Sequence, residues 1–513
     1  MGIAERKAGA PAWGEPEYRR HRPEATVLYK LVERHWPELE ALLESRGEWL
    51  PKYVREEFAG YLRCGRLEHG FLRVACEDCR EERLVAFSCK GRGICPSCGA
   101  RRMVEGAALL VDEILPDDPV RQWVISFPFQ LRILFARHPE WMTQVLGIVW
   151  RVLSGHLIRK AGQTRKTAKA GAVTLIQRFG SALNLNIHFH MLLPDGVYAD
   201  NGHGKLRFQR VRGPTGNEIR GLLETIAYRV GALLEKRGVL ARDAENAWLT
   251  LEESDDPLLQ WAGSSVHYRI AEGPNRGRKV FTLQTLPARE AKSECEQLAK
   301  LSGFSLHAGV VVEGHERQKR EHLCRYITRP ALSEQRLSLA PNGQVRYLLK
   351  TPYRDGTTRV LFDPLDFLTR LAALIPKPGI HLTRYHGIFA PNSADRGVIT
   401  PGGRGRGGLR GPSRGAQVEG DADPSPDARR RGMTWAQRLK RVFRIDVERC
   451  DRCGGNARII AAVEDPAVIR AILAHLDRKQ AAQEHAPLGR TGGGELASGR
   501  APPEEWLQVS LIG

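Results

Sequence analysis

The chain has 513 residues, more than one hydrophobic core usually serves, so about two to four domains are expected. Lys and Arg number 78 against 59 Asp and Glu, a formal net charge of +19 with a sequence pI near 9.7; a polyanionic partner is expected, nucleic acid ahead of an anionic membrane. No apolar stretch approaches the ~20 residues of a membrane span, and Met1 to Lys7 has no apolar signal core and carries Arg6 where a myristoylation motif needs Ser or Thr, so a cytoplasmic protein off the membrane is expected.

Residues up to about Arg22 are polar and punctuated by Pro and Gly, and read as a loose leader, 1–23. Ala25 to Leu62 has a helical pattern, with Val27, Leu28, Leu31 and Val32, then Leu39, Leu42 and Leu43, at three- and four-residue steps. Six of the ten cysteines follow between Cys64 and Cys98. Cys76/Cys79 and Cys95/Cys98 are two knuckles separated by 15 residues, a spacing suited to one four-cysteine zinc site. Cys64, His69 and Cys89 are left over, to complete a second site or to substitute in the first. In a reducing compartment such clusters read as zinc ligands rather than disulfides. Arg92, Arg101 and Arg102 surround the knuckles and would let the folded knob grip DNA phosphates. Residues 24–105 are therefore expected to form a helical, zinc-binding and DNA-binding domain.

A helix from about Val104 to Ile114, a strand from Arg121 that ends at Pro128, and a long helix from Trp141 to about Arg159 come next. Ala172 to Leu193 reads as a hairpin: Val173–Phe179, a turn at Gly180-Ser181-Ala182, and a return strand bearing His188 and His190. Strand alternation turns both histidines to one face and Phe189, with Ile187 and Met191, to the other, so the imidazoles converge where one metal ion could sit. A turn centred between Ala182 and Leu183 places Gln177 directly opposite His188 as a third neutral donor, whereas a one-residue slip removes it from the site.

Helical patterns recur at Ile219–Arg237 and Pro287–Leu301, a strand at Phe304–Val312, and a charged helix from His315 to Arg329 that Pro330 stops. Its last turn carries Tyr326, with Arg325 and Arg329 beside it and His322 one turn earlier on the same face. Val345–Lys350 and Thr358–Phe362 read as a hairpin around Asp355-Gly356. Basic and aromatic residues interleave through Tyr347, Lys350, Tyr353, Arg354, Arg384, Tyr385 and His386, a texture suited to single-stranded DNA. A Gly-, Arg- and Pro-rich linker, 394–433, is expected to be disordered without DNA. A small C-terminal module, 434–478, contains a helix at Trp435–Phe443, the Cys450/Cys453 knuckle, a strand at Arg458–Val463 and a helix at Pro466–Leu476. With no second pair after it, that knuckle reads as an incomplete zinc ribbon. A mobile tail, 479–513, ends the chain.

In order, the strand ending in Ser126-Phe127-Pro128, the His188-Phe189-His190 segment and the helix bearing Tyr326 resemble the three motifs of rolling-circle HUH endonucleases. The cysteine knuckles, Leu183-Asn184-Leu185-Asn186, Asp195-Gly196-Val197-Tyr198, the run from Cys324 to Pro330 and the run from Arg384 to Asn392 more specifically resemble transposases of the insertion-sequence-ninety-one family, over about Tyr53 to Leu476. The resemblance implies an α+β fold in which an antiparallel-sheet HUH core, 106–393, follows the zinc-binding domain. It implies a bacterial, cytoplasmic, nucleoid-associated transposase that nicks and rejoins single-stranded DNA at transposon ends and target through a 5′-phosphotyrosine intermediate, with a dimer as one option. Tyr326 would be the nucleophile and Arg325 or Arg329 would stabilise charge. His188, His190 and Gln177 would hold a catalytic Mg2+ or Mn2+, and the cysteines a structural Zn2+. Founding members carry two tyrosines four residues apart; here the earlier position is His322, as in a single-tyrosine branch, so Tyr326 would be reused or supplied by two protomers. The same core serves rolling-circle replication initiators, and the competing class is a non-catalytic, zinc-dependent DNA-binding product of a decayed element.

Overall fold

The structure, a computed structural model, describes residues 22–200, 206–243, 247–250, 256–284, 297–353, 355–403, 448–450 and 452–484. The leader as far as 21, Arg354, the linker from 404, the helix expected at Trp435–Phe443 and the tail beyond 484 lie outside the described residues.

A six-stranded sheet positions the site. Its order is Leu298–Leu301, Phe304–Val312, Val120–Ser126, Leu185–Pro194, Gly171–Phe179 and Thr383–Gly387, and every neighbouring pair is antiparallel. The histidine strand, Leu185–Pro194, is therefore interior, hydrogen-bonded on both sides. Its pleat serves two cores. Ile187, Phe189 and Met191, with Trp123, Ile125 and Ile176 of its neighbours, join the larger core on one face, whereas Leu192, Leu175 and Val173 pack on the other face with Leu323, Cys324 and Ile327 of the helix Arg317–Thr328. Strand alternation thus aims the two histidines at the helix that carries Tyr326.

The hairpin register sets Gln177 opposite His188 and Ile176 opposite Phe189, then shifts near the turn, where Phe179 faces Leu185. The return strand bulges there, with Asn186 and Ile187 together opposite the single residue Arg178. The buried Arg178 guanidinium donates to the carbonyls of Leu374 (3.2 Å) and Ala373 (3.2 Å), at the end of the helix Pro364–Leu374, where cationic charge complements the helix dipole.

One expected element is replaced. Leu298–Leu301, read as the end of a helix, is an edge strand paired with Phe304–His307. Ser302 and Gly303 both take positive φ, 47° and 80°, which makes the tight two-residue turn of a hairpin. The ladder it closes outweighs the helical spacing of the leucines; residues 285–296, with the rest of the expected helix, lie outside the described set.

The amino-terminal region packs the helices Val27–Glu44 and Lys52–Arg63 beside a three-stranded sheet ordered Ala457–Val463, Phe71–Cys76, Glu82–Ala86. The C-terminal segment is therefore not a separate module: its strand is the third strand of the zinc-domain sheet. Its helix runs from Pro466 to Glu484, past the expected end at Leu476. The helix Pro96–Leu109 starts inside the second knuckle, with the Cys95 sulfur accepting from the Cys98 N–H (3.5 Å) as its N-cap, and continues as a π turn over Leu110–Ile114.

The Asp195-Gly196-Val197-Tyr198 motif is structural. Buried Asp195 grips Arg121 with two hydrogen bonds (2.9 and 2.6 Å), and a side chain at Gly196 would meet the Gln209 carbonyl oxygen at 2.3 Å. Among the described residues no helix is long and apolar enough to cross a membrane.

Candidate metal centres and tyrosine site

The cysteines divide into two tetrads, Cys64/Cys89/Cys95/Cys98 and Cys76/Cys79/Cys450/Cys453, each with its sulfur atoms within 4.8 Å of one another. In the first, sulfur separations are 3.7 Å (Cys64–Cys98), 3.7 Å (Cys64–Cys95) and 3.5 Å (Cys89–Cys98). Four thiolates at a Zn–S distance of about 2.3 Å stand ~3.8 Å apart at the corners of a tetrahedron, so the sulfur positions fit zinc. This corrects the expected pairing of Cys76/Cys79 with Cys95/Cys98. Cys76 sits at the tip of the hairpin Phe71–Ala86, whereas Cys64 and Cys89 flank its base, where Phe71 faces Ala86. At about 3.3 Å of rise per residue, tip and base are roughly 16 Å apart, too far for both knuckles to hold one ion. Exposed His69, in the turn Leu67–His69, belongs to neither tetrad.

Arg92, Arg101 and Arg102 all bond within the protein. Arg92 donates to the Ile380 carbonyl (2.9 Å), Arg101 pairs with Glu105 (3.2 Å), and Arg102 reaches the carbonyls of Gly91 (3.3 Å) and Lys90.

The second site lies between sheet and helix. The rings of His188 and His190 are 4.9 Å apart, and the His190 ring meets that of Tyr326 edge-on at 6.2 Å. His188 Nδ1 lies 2.8 Å from the Asn186 carbonyl, which fixes it as the protonated nitrogen and leaves Nε2 with a lone pair. His190 Nδ1 is 2.6 Å from the Gln122 side-chain amide, while His190 Nε2 is buried with no hydrogen-bond partner. Gln177 donates its amide N–H to the Ile327 carbonyl (2.7 Å), and its oxygen is likewise buried and unpartnered. Burial pushes the His188 imidazole down to about 4 and His190 well below its ordinary value, so both are neutral at physiological pH and competent as metal donors. Among the described residues, groups of three or more His, Cys, Asp or Glu able to hold a metal are the two cysteine tetrads. The histidine pair therefore has no carboxylate beside it to complete a set of three, and Gln177 is the neighbouring side-chain oxygen.

Half-buried Tyr326 lies under two cations: the Arg329 guanidinium is 4.3 Å and the Lys350 ammonium 4.0 Å from its ring centre. Burial pushes the phenol up, but Arg329 and Lys350 together pull it below its ordinary value of 10.0. Arg325 instead pairs with Glu321 (2.6 Å), and His322 is exposed.

The sequence did not single out Gln122 or the sulfur partners of Cys450 and Cys453. For Gln122 a signal existed, since it lies on the same strand face as Ser126. Lys350 showed only as part of the basic-aromatic texture beyond Pro330.

The chain thus joins a cysteine-rich fold with two tetrads to a sheet and helix that bring two neutral imidazoles to a phenol under two cations. Residues 31–127 match the transposase zinc-binding domain family, and residues 171–396 match a family described as putative transposase. Together the two segments span more than half of the chain, and the protein belongs to the insertion-sequence-ninety-one type of transposase. No curated protein and no solved structure matches it.

Proposed function

We propose that this transposase nicks and rejoins single-stranded DNA by a rolling-circle-type mechanism in which Tyr326 forms a 5′-phosphotyrosine intermediate. The observation that carries this reading is the meeting of a phenol held under Arg329 and Lys350 with the unpartnered donors His190 Nε2 and Gln177 Oε1. Attack by Tyr326 Oη on the scissile phosphorus forms one P–O bond and breaks the bond to the 3′ oxygen. The phenol gives up its proton to solvent and the departing oxygen takes one up, which leaves a free 3′-hydroxyl; the reverse attack rejoins the strand. A phenol of pKa near 10 is a poor nucleophile at neutral pH, and Arg329 and Lys350 stabilise both the phenolate and the charge that develops on the phosphate. Arg329, not Arg325, takes the stabilising role, because Arg325 is engaged by Glu321.

His188, His190 and Gln177 would hold Mg2+ or Mn2+, which would act there as a Lewis acid on a phosphate oxygen. Gln122 orients His190: its amide nitrogen stands 2.6 Å from Nδ1 and holds the ring in place. Residues 24–105 serve as the DNA-gripping zinc domain and 106–393 as the endonuclease.

Tyr326→Phe is expected to abolish covalent attachment to a labelled single-stranded end oligonucleotide while binding persists. Adducts surviving in that variant would remove Tyr326 as nucleophile. Replacing His188 and His190 together with Ala stops cleavage in magnesium; undiminished cleavage would exclude the metal role.

A further inference from the structure

The second tetrad draws on a part of the chain beyond both family matches, which end at residues 127 and 396. The Cys450-to-Cys453 knuckle is a closed turn: Gly454 N–H donates to the Cys450 carbonyl (2.9 Å) and Cys450 N–H to the Gly455 carbonyl (2.8 Å). Gly454 has φ +73°, and any side chain at Gly455 would collide with Asp78 (2.0 Å to its Oδ2). Gly454 thus supplies the left-handed turn of the knuckle, and Gly455 lets it close against the Asp78 side chain. Cys453 sulfur lies 3.5 Å from that of Cys76, and Cys450 sulfur 3.5 Å from that of Cys79, close to the ~3.8 Å edge of a zinc tetrathiolate. Arg452 pairs with Glu81 (2.9 Å), Arg458 with Glu77 (3.2 Å), and Glu77 N–H donates to the Asn456 carbonyl (2.9 Å).

The apolar contribution is small. Phe71, Val463 and Ile469 are the buried residues of the core between this segment and the zinc domain, while Ile459 and Ile460 of the same strand are exposed. Surface ion pairs add little, and the joined cysteines lie 371 positions apart in the chain, a costly loop to close. A core of this size ordinarily needs a metal or disulfide to hold it.

We propose that Cys76, Cys79, Cys450 and Cys453 hold a second zinc ion that staples the C-terminal strand and helix onto the amino-terminal zinc domain. Metal binding here is folding free energy for residues 448–484. The two sites also differ in access. Each tetrad has one half-buried cysteine, Cys89 and Cys79, but only the second has an exposed one, Cys453, so the second ion exchanges first.

The test is metal analysis of the full chain. The wild type is expected to carry two zinc ions, and Cys450→Ser/Cys453→Ser one. In cobalt-substituted protein the same change halves the thiolate-to-cobalt absorption. A mild chelator should remove one ion from the wild type at least tenfold faster than the other, and the double variant should lack that fast phase. Hydrogen exchange separates the staple from general misfolding: in the variant, amides of Ala457–Val463 lose protection while those of Val120–Ser126 keep theirs. One zinc ion in the wild type, two in the variant, or unchanged protection of Ala457–Val463 would overturn the proposal. None of these readouts depends on DNA cleavage.

Discussion

At the scale of single residues, the site is a matter of which atoms are left with a lone pair or a proton to give. The Asn186 carbonyl settles the tautomer of His188, and the sheet register settles that Gln177 stands beside it. The Tyr326 phenol is pulled down by two cations from different parts of the chain, Arg329 on its own helix end and Lys350 after the strand Val345–Leu348. Lys350→Met keeps most of the stem and removes the charge, so it raises the phenol pKa. Each tenfold weakening of the phenol as an acid lowers the phenolate fraction at neutral pH by about tenfold. The rate of adduct formation should drop accordingly at pH 7, and the rising limb of its pH profile should move to higher pH. An unchanged profile would show that Lys350 does not act through the phenol.

At the scale of elements, the first zinc tetrad and the tyrosine sit on two helices packed together. Cys95 caps the helix Pro96–Leu109, whose Gly99 faces Pro330 so closely that an added Cβ would stand 2.7 Å from the proline's. The Thr328 hydroxyl donates to the Met103 carbonyl (3.1 Å). Buried Arg320 ties the other end of the tyrosine helix to the carbonyls of Pro116 (2.8 Å) and Gly314 (2.6 Å). The helix that begins in the first tetrad therefore braces the helix of Tyr326 through direct contact. Gly99→Val wedges the helices apart. It is expected to cut adduct formation at least tenfold while the zinc content, read by metal analysis, stays at the wild-type value; wild-type adduct yield would show that the contact does not position the tyrosine.

At the scale of the whole molecule, the net charge of +19 should make DNA affinity strongly salt-dependent. For a single strand the logarithm of the binding constant falls by about 0.7 per decade of salt for each phosphate neutralised. Arg101→Ala and Arg102→Ala should each reduce that slope by about that amount if the arginines grip phosphate, as titrations of labelled oligonucleotide at several salt concentrations would read. Arg92→Ala has a second effect, since Arg92 also holds the loop carbonyl of Ile380 (2.9 Å); a lower melting temperature should accompany any loss of affinity.

Local sequence determined the elements whose logic is short-range. The alternation around Phe189 determines that His188 and His190 share a face, and Pro330 determines where the tyrosine helix stops, because pleat and missing N–H each act over a few residues. Gln177 opposes His188 only because a bulge shifts the register that pairs Phe179 with Leu185 at the turn. The pairings between distant segments were decided by tertiary structure alone. Two knuckles 15 residues apart looked like one zinc site, but the hairpin between them holds them apart, and each completes its tetrad elsewhere: one with Cys64 and Cys89, the other with Cys450 and Cys453. Spacing along the chain measures distance only while the chain is straight or regularly coiled. Once strands fold back and pair, the partners of Tyr326, His190 and Cys76 are set by sheet order and helix packing, which no local pattern encodes.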